Sequence, residues 1–503
     1  MAIELKQTPY GSSVYRLSLV YNPPVMSKKT GKPIFMYGGD MGRYPASDHN
    51  FNCNGIVAPD RSLTPHSYEV RHWYQSIWLK NLSMSDGTID LFNENFFKNM
   101  DNVKAVVKIL VDGEVKMTDT VDEFGGVGPQ QTKRIELGKL PLARKVMGLM
   151  RQYPRSEIMA NIEFLLKAEE PLLPAGWMVA AQQFTLQKYN FPTRTQVMAE
   201  AKADSRTDEK GVKVDSMRAC YTMEANGLSL TVCRWTGELD YVDLDGKPIL
   251  EDEYHVTPNF WRAPTDNDYG AQLQVKFDKW KDPRKDCKSV ACYAEGECQT
   301  IKVVYELQDL EAQLSLTYTM TPAGEVIVNE HLDTKGDAKD KPQLFRFGMQ
   351  WVMSKEYRNI TYYGMGPTEN YIDRHGFQTL GLWKQKVADQ YWPYVRPQES
   401  GNKTQVRYWT LTDDGGRGLT FIATGDMECS TLNYLPSDLD SGRHKDHVQM
   451  HSGDLEPRDF SVLQIQARQF GLGCIDSWGA WPMDAYHMPY QDYDFTYIVK
   501  AVR

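Results

Sequence analysis

The stretch "AQLSLTYTMT", residues 312–321, indicates the fold class because its apolar side chains alternate with polar ones. In a β-strand successive side chains point to opposite faces, so Leu314, Leu316, Tyr318 and Met320 would share one face. A strand with one apolar and one polar face covers a core on one side only. The pattern predicts a half-buried strand of an antiparallel sheet.

Four Asp-Gly pairs lie between strand-like segments elsewhere in the chain. They stand in LSMSDGTIDLF (82–92), VKILVDGEVKM (107–117), LDYVDLDGKPIL (239–250) and LTDDGGRGLTFIA (411–423). Asp-Gly tolerates the positive φ angles that tight hairpin turns need, so each pair predicts a β-hairpin. Strands and amphipathic helices do not alternate in any sustained way after about residue 65. Both observations predict a mainly β protein built from antiparallel sheets.

The composition is that of a globular protein with more than one core. At 503 residues the chain predicts two to four domains. Its 41% hydrophobic, 24% charged and 12% aromatic residues are typical of soluble β-proteins and of carbohydrate-binding surfaces. The net charge of −9 comes from 57 basic and 66 acidic residues spread along the chain, which argues against a nucleic-acid partner.

The sequence shows no transmembrane segment and no secretory signal pattern. No apolar run approaches the roughly 20 residues needed to cross a bilayer, and the first residues lack a basic-then-apolar secretory pattern. We therefore expect no membrane association and take the cytoplasm as the default compartment. The eight cysteines are too sparse for a disulfide framework. Cys287, Cys292 and Cys298 lie close together, but without a CxxC pair or a nearby histidine they do not indicate zinc.

A composition change divides the chain. Residues 188–215 are charged, poor in large apolar groups and without period, which predicts an exposed linker. The linker separates a β-domain at 63–187 from a larger two-sheet unit at 216–503. Residues 1–62 are too short for a domain. Their glycines and their Asp and Asn side chains predict loops that build a site at the rim of a scaffold.

Six motifs carry a family resemblance. In chain order they are YGGDMG (37–42), FNCNGIVAPDR (51–61), WRAPTDNDYG (261–270), YYGMGPTENYIDRHG (362–376), YVRPQESGNKTQVRYWTL (394–411) and IDSWG (475–479). Together they resemble the carboxyl-terminal half of family-2 glycoside hydrolases of the large β-galactosidase type. The match runs from about Lys32 to Arg503, and the first 30 or so residues do not take part in it.

The resemblance implies a layout. Residues 1–62 would be a short remnant of a (β/α)₈ barrel, residues 63–187 an immunoglobulin-like β-sandwich, and residues 216–503 a large β-supersandwich. The family hydrolyses terminal β-galactose from β-galactosides such as lactose, with retention. That reaction needs two carboxyl groups about 5–5.5 Å apart. In the family both are glutamates on barrel strands that this chain lacks, so the resemblance implies no catalytic residue here and a complementing chain that supplies them.

Two glutamates imitate the family's catalytic motifs. Glu330 follows Asn329, and Glu253 precedes Tyr254 and His255. Both fall in the segment that matches the family's last domain. We therefore expect ordinary strand-edge carboxylates rather than catalytic groups.

Three residues match site positions of the family. Asn54 and Phe51 match residues that give oxygen ligands to a sodium ion beside the galactose, and the third ligand belongs to the missing barrel. Sodium is therefore expected only in a complete assembly, and the family's magnesium site is not encoded here. Trp478 matches a tryptophan on which the sugar stacks, since an indole face suits the apolar face of a pyranose. The residues alone leave a buried core tryptophan equally open.

The remaining motifs predict structural roles. In the segment 261–270, Arg262, Asp266, Asn267 and Asp268 are expected to bond backbone groups at a corner. The charged residues of the next two motifs are expected to form buried ion pairs: Glu369, Asp373, Arg374, Arg396 and Glu399. An isolated site built from Glu369 and Asp373 is the alternative.

The partners follow from these interpretations. The first hypothesis has a β-galactoside as substrate and a large complementing chain as partner, with homo-oligomers left open. The second hypothesis is a noncatalytic β-sandwich protein that binds carbohydrate or another protein through Trp478 and neighbouring aromatic side chains.

Overall fold

The computed structural model describes most of the chain: residues 25–37, 40, 55–124, 126–200, 211–335, 339–444, 450–473, 475–476 and 479–503. Before the first sandwich the chain forms a small ladder of β1 (Val25–Met26) and β2 (Pro33–Ile34), and later helix α1 (Pro65–Trp73). Pro65 suits the first helical position because its fixed φ matches the helix. Most of the predicted barrel remnant lies outside the described residues.

Two antiparallel sheets form what we call the first sandwich. Its elements are β3 (Ile77–Ser83), β4 (Thr88–Asn93), β5 (Val103–Val111), β6 (Glu114–Val121), β7 (Gln131–Glu136), α2 (Leu142–Gln152), β8 (Ile158–Leu166) and β9 (Met178–Gln187). One sheet has the order β3-β4-β7 and the other β6-β5-β8-β9. Leu79 and Leu91 of the first sheet share a core with Ala105 and Phe164 of the second. Alternating burial along β5 produces this core.

The segment predicted as an exposed linker is partly ordered. Helix α3 (Arg194–Glu200) lies within it, and Val197 is buried against Ile327 and Ile498. Thr193 and Gln196 form a capping box, in which the Gln196 amide donates to the Thr193 hydroxyl (3.3 Å) and the Thr193 amide to the Gln196 carbonyl (2.9 Å). The fully exposed linker is therefore wrong for residues 194–200. Val197, the partly buried Met198 beside it and a cap suffice for a two-turn helix docked on a larger core.

The second sandwich begins with a five-stranded antiparallel sheet. In spatial order its strands are β10 (Lys213–Ser216), β11 (Cys220–Ala225), β12 (Leu228–Cys233), β13 (Leu239–Leu244) and β14 (Lys247–Pro248). It is followed by β15 (Thr257–Asn259) and by two short helices, α4 (Asp266–Gly270) and α5 (Leu273–Lys276).

Two further sheets complete the second sandwich. Their remaining elements are β16 (Lys285–Glu295), β17 (Cys298–Leu307), β18 (Ala312–Met320), β19 (Val326–Thr334), β20 (Arg346–Ser354), β21 (Asn359–Gly366), β22 (Thr379–Lys386), β23 (Tyr408–Thr412), β24 (Gly418–Ala423), β25 (Glu428–Leu432), α6 (Pro436–Leu439), β26 (Phe460–Gln469) and β27 (Tyr493–Val502). One sheet has the order β15-β20-β26-β25. The other has nine strands, β16-β17-β18-β19-β27-β24-β23-β21-β22.

One continuous core joins the three sheets of the second sandwich. Leu230 of the five-stranded sheet, Tyr318 of the nine-stranded sheet and Trp351 of the four-stranded sheet belong to it. On β18 the residues 314, 316, 318 and 320 are all buried, as the alternation predicts. Strand β27 lies between β19 and β24, so it joins the two halves of the nine-stranded sheet. The predicted mainly β fold of sandwich followed by supersandwich is confirmed.

All four Asp-Gly pairs lie in hairpin turns, between β3 and β4, β5 and β6, β13 and β14, and β23 and β24. In the second and third turns both residues have positive φ: 48° and 83° at Asp112 and Gly113, and 50° and 73° at Asp245 and Gly246. Glycine has no Cβ to clash in this region. The hairpin predictions are confirmed.

The two sandwiches contact each other through a largely buried patch. Leu110 and Met159 of the first pack against Tyr363 and Leu380 of the second. The turn at Gly113 lies against β22, where an added Cβ would come within 2.8 Å of the Leu382 nitrogen. This close packing fixes the first sandwich against the edge of the nine-stranded sheet.

A buried ion pair crosses the same interface. Arg407 of the second sandwich donates to both oxygens of Glu157 in the first, at 3.1 Å from Nε and 2.7 Å from Nη2. The Tyr363 hydroxyl donates to the same carboxylate at 2.5 Å. Glu157 is 2% exposed and Arg407 9%. Such a pair has strict geometry, so it orients the two sandwiches as well as joining them.

No helix in the described part of the chain is both long enough and apolar enough to cross a membrane.

Candidate functional site

The three predicted site residues, Phe51, Asn54 and Trp478, lie outside the described residues. Their roles as sodium ligands and sugar contact therefore stay predictions. The structure does describe the residues that flank Phe51, Asn54 and Trp478 in the sequence. The contacts of these flanking residues hold the segments that carry the three site residues, and we treat the flanking residues as the candidate site.

The corner at residues 261–270 is a rigid, buried unit. The Arg262 guanidinium forms a fork with Asp268, with Nε at 3.0 Å and Nη2 at 2.7 Å from its two oxygens. Asp268 also accepts from the backbone nitrogen of Thr265 at 2.8 Å, and Thr265 caps helix α4 in return. Arg262 is fully buried and Asp268 nearly so. Charge and backbone geometry together fix this corner.

The corner holds the chain that leads into the segment carrying Trp478. Arg262 donates to the carbonyl oxygens of Phe470 (2.5 Å) and Gly471 (3.0 Å). The Asn267 amide donates to those of Leu472 (2.9 Å) and Gly473 (2.9 Å). Four successive carbonyl groups therefore bond to one motif that is more than 200 residues distant in sequence. The predicted structural role of the motif is confirmed, and its place in the fold shows which segment it positions.

A second motif, at residues 362–376, holds the same segment from another side. Asp373 Oδ2 accepts from the Gly473 nitrogen at 3.0 Å. The neighbouring Arg374 pairs with Glu369 at 2.6 Å, and both side chains are buried. Glu369 also accepts from the Gly401 nitrogen at 2.7 Å. Burial acts to raise the pKa of Glu369, but Arg374 and these hydrogen bonds hold it below its usual value.

Four of the five residues expected in ion pairs form them. Glu369 pairs with Arg374 at 2.6 Å, Arg396 with Asp266 at 3.2 Å and Glu399 with Arg346 at 2.7 Å. Asp373 accepts from the Gly473 nitrogen instead. Since its carboxylate is already engaged by Arg374 and by backbone, Glu369 does not favour the alternative of an isolated catalytic site. Asp373 Oδ1 is buried and accepts no hydrogen bond from the described residues.

The amino-terminal segment is anchored at its own end of the site. The Tyr37 hydroxyl donates to the Met450 carbonyl at 2.6 Å. His451 lies between two carboxylates, with Nε2 at 2.7 Å from Asp40 and Nδ1 at 3.2 Å from Asp454. Burial raises the pKa of Tyr37 to about 12, so its hydroxyl stays a donor. These bonds fix the point at which the segment carrying Phe51 and Asn54 begins.

The far end of that segment reaches the network around Arg374. Nε2 of His66 lies 3.3 Å from the Gly55 carbonyl, and burial lowers the pKa of His66, with Arg374 adding to the effect. Helix α1, which contains His66, also presents the Glu69 carboxylate to the backbone nitrogens of Gly376 (2.9 Å) and Phe377 (3.1 Å). The segments that carry all three predicted site residues are therefore anchored to one set of motifs.

Sequence reasoning missed His451 and His66 in this arrangement. His451 lies 411 residues from Asp40, and His66 lies 11 residues from Gly55 but hundreds of residues from Arg374, whose charge acts on it. Neither histidine stands in one of the matching motifs. No local pattern announces such contacts, because only the folded sheets bring the partners together.

The two glutamates that imitate catalytic motifs take no part in the contacts of the candidate site. Glu253 lies in an exposed turn before β15, with φ of 69°. Glu330 was expected at a strand edge, and this expectation is wrong. Its strand β19 is flanked by β18 and β27, and its side chain is fully buried. Neither carboxylate oxygen bonds a described residue, and burial raises the pKa of Glu330 well above its usual value.

Glu330→Gln is expected to stabilise the protein at neutral and alkaline pH. Because the pKa of Glu330 is raised in the folded state, the protonated side chain makes its full contribution to the free energy of unfolding only below about pH 4.5. That contribution is lost as the pH rises toward the folded-state pKa. The loss is about 1.4 kcal/mol for each pH unit in that window. Urea unfolding at pH 4.5 and pH 8 measures the difference. The exposed Glu224→Gln serves as the control. Equal stability of wild type and Glu330→Gln at pH 8 would contradict the raised pKa.

Comparisons with known proteins identify the family. The family described as "Beta galactosidase small chain" matches residues 224–499, which is more than half of the chain. A second family, "Beta-galactosidase, domain 4", matches residues 89–187. The "domain 4" match falls in the first sandwich, and the "small chain" match falls in the second.

Curated relatives agree with this match. A beta-galactosidase from Priestia megaterium is 28% identical over 452 residues, covering 90% of this chain and 41% of the relative. One from Streptococcus thermophilus is 26% identical over 477 residues, covering 94% of this chain and 42% of the relative. The chain thus spans about two fifths of the length of these relatives and corresponds to their carboxyl-terminal part.

Among solved structures, a family-36 alpha-galactosidase from Geobacillus stearothermophilus has a TM-score of 0.31 and 9% identity, covering 58% of this chain and 40% of that one. A TM-score this low adds nothing to the assignment. The family matches and the sequence relatives are sufficient: this chain belongs to the beta-galactosidase small chain family and corresponds to the carboxyl-terminal part of its beta-galactosidase relatives.

Proposed function

We propose that this chain forms the carboxyl-terminal part of a β-galactosidase and works in hydrolysis only when a (β/α)₈ barrel supplies the two catalytic glutamates. One observation carries the proposal: motifs far apart in sequence converge on the segments that bear Asn54 and Trp478. Their buried charges bond one another and the backbone, as a scaffold for these segments requires.

In this proposal the chain binds and orients the sugar. Trp478 offers an indole face to the apolar face of the galactose or of the departing group, and the bonded carbonyl groups of residues 470–473 hold its segment in place. The Phe51 carbonyl and the Asn54 side chain would give two oxygen ligands to a sodium ion that binds a sugar hydroxyl. Rigid holding of such groups matters because orientation lowers the barrier to reaction.

The chemical step belongs to the partner. Retaining hydrolysis requires an acid that protonates the leaving oxygen and a nucleophile that attacks the anomeric carbon. The two glutamates of this chain that imitate family motifs are placed for neither role, since Glu330 is enclosed in the core and Glu253 lies in an exposed turn. Loss of the acid alone removes about 10²–10⁴-fold of rate.

The chain alone is expected not to hydrolyse nitrophenyl β-galactoside. Mixing it with a separately purified amino-terminal part of the Priestia megaterium relative, ended where the match to this chain begins, is expected to give turnover that saturates at one chain per partner. Colour release in a spectrophotometer measures both results. Turnover by the chain alone, purified from a host without β-galactosidase, would overturn the proposal.

Variants in the mixture test the individual roles. Trp478→Ala is expected to lower kcat/KM by roughly tenfold, since one aromatic contact contributes on the order of 1 kcal/mol. The exposed Trp235→Ala should leave it unchanged. Asn54→Ala should raise the sodium concentration needed for half-maximal turnover. If mixing gives no turnover and calorimetry shows lactose binding to the chain alone, the noncatalytic sugar-binding protein becomes the better description.

A further inference from the structure

Three side chains that commonly bind metals meet on the second sandwich, away from the motifs described above. Leu239 and Val256 form a β-bridge, in which the Val256 nitrogen donates to the Leu239 carbonyl at 3.1 Å. Asp240 and His255 are therefore opposite neighbours across this bridge. Glu238 precedes Asp240 by two residues, so its side chain lies on the same face of the strand.

The ligand atoms of these residues are close together. One nitrogen or oxygen atom from each of Glu238, Asp240 and His255 lies within 4.8 Å of the others. The Nδ1 atom of His255 is 3.2 Å from Asp240 Oδ1, yet it is buried and makes no hydrogen bond to a described residue. The two atoms are thus near each other without being bonded to each other. That relation is expected of two atoms directed at a common third point.

Tyr305 lies beside this cluster and is 2% exposed. A Cβ added to Gly237 would lie 2.6 Å from its hydroxyl, which places that hydroxyl beside the backbone of Glu238.

The cluster places two carboxylates beside one imidazole. A bound cation would reduce the repulsion between the two carboxylates.

We propose that Glu238, Asp240 and His255 bind a divalent transition-metal ion of the zinc type. Zinc binds imidazole nitrogen and carboxylate oxygen at about 2.0–2.2 Å, so two ligand atoms on one ion lie about 3–3.5 Å apart. The separation of 3.2 Å between the His255 and Asp240 atoms meets this requirement. A small rotation of the flexible Glu238 side chain completes a set of three, and water fills the remaining position.

The proposed metal site is accessible from solvent, and an ion bound there would connect two parts of the second sandwich. The side chains of His255 and Asp240 are 40% and 25% exposed, so an ion enters from solvent. The ion would tie β13 to the segment that leads through β15 into the corner at residues 261–270. We infer a structural metal site that holds this corner in register with the five-stranded sheet.

Cobalt titration of the full chain, followed by absorption spectroscopy, tests the proposal. One equivalent is expected to bind, with visible bands and no thiolate charge-transfer band, and zinc should displace it. His255→Gln and Asp240→Asn should each weaken binding by at least about tenfold. Glu253→Gln, which changes an exposed carboxylate two residues from His255, should bind like the wild type.

A thermal measurement separates metal binding from misfolding. Zinc should raise the melting temperature of the wild type and of Glu253→Gln but not of the two ligand variants, whose far-ultraviolet circular dichroism should match the wild type without metal. If the variants do not fold, Glu238→Gln takes their place. Unchanged affinity in the folded ligand variants, no saturable binding, or a thiolate charge-transfer band would overturn the assignment.

Discussion

Replacing Glu157 by alanine is expected to lower the free energy of unfolding by about 3–5 kcal/mol, because the Arg407 guanidinium would remain buried without its partner. The fork between the two side chains spans the interface of the sandwiches, at 2.7 and 3.1 Å. The Tyr363 hydroxyl would lose its acceptor as well. Chemical unfolding of both proteins measures the difference.

The same substitution is expected to separate the unfolding of the two sandwiches. Differential scanning calorimetry should then show two transitions, where the wild type is expected to show one. Glu163→Ala is the matched control, because its partner Lys108 lies in the same sheet and both side chains are partly exposed. That change should cost about 1 kcal/mol or less. A similar small loss in Glu157→Ala, with a single transition, would contradict the coupling.

Arg262→Ala is the second change with a large expected effect, again a loss of about 3–5 kcal/mol. It leaves the Asp268 carboxylate buried without a counter-charge and removes the donors of the Phe470 and Gly471 carbonyl groups. Because these groups hold the segment that carries Trp478, turnover in the complemented enzyme should fall more than stability alone explains. Activity is therefore measured well below the melting temperature of the variant.

A surface pair gives the comparison for Arg262. Arg458 forms the same two-bond geometry with Asp438, at 3.1 and 2.6 Å, but its side chain is 48% exposed. Arg458→Ala should therefore cost no more than about 1 kcal/mol and leave turnover unchanged. Equal effects of the two substitutions would show that burial of the corner is not what gives Arg262 its importance.

Local features of the fold followed from the sequence. The Asp-Gly turns and the alternation in β18 depend on neighbours within a few residues, where turn geometry and side-chain direction decide the outcome. The order of the nine-stranded sheet did not follow, because pairing of β19 and β24 with β27 joins segments far apart in the chain. Helix α3 was missed because its stability comes from Val197 docking on that sheet.

The candidate site was predicted less completely. Arg262, Asn267 and Asp268 bond backbone groups as expected, whereas the Asp266 carboxylate accepts from the side chains of Arg396 and Gln398. The sequence did not show that the targets of Arg262 and Asn267 would be residues 470–473. Glu330 was misplaced because period-2 patterning cannot distinguish a strand edge from a strand paired on both sides. Asp240 and His255 lie opposite each other because of a single β-bridge between Leu239 and Val256. An isolated bridge produces no periodic pattern in the sequence, so this contact could not be predicted.

The position of β27 has a consequence for biosynthesis. A ribosome delivers the chain from its amino end, so β19 and β24 emerge long before the strand that joins them. Until then both strands have exposed edges that can pair with a neighbouring nascent chain. Such long-range pairing is also slow. The danger of aggregation therefore lasts until β27 has left the ribosome, and chaperones that shield open sheet edges in that interval would most affect the yield of this protein.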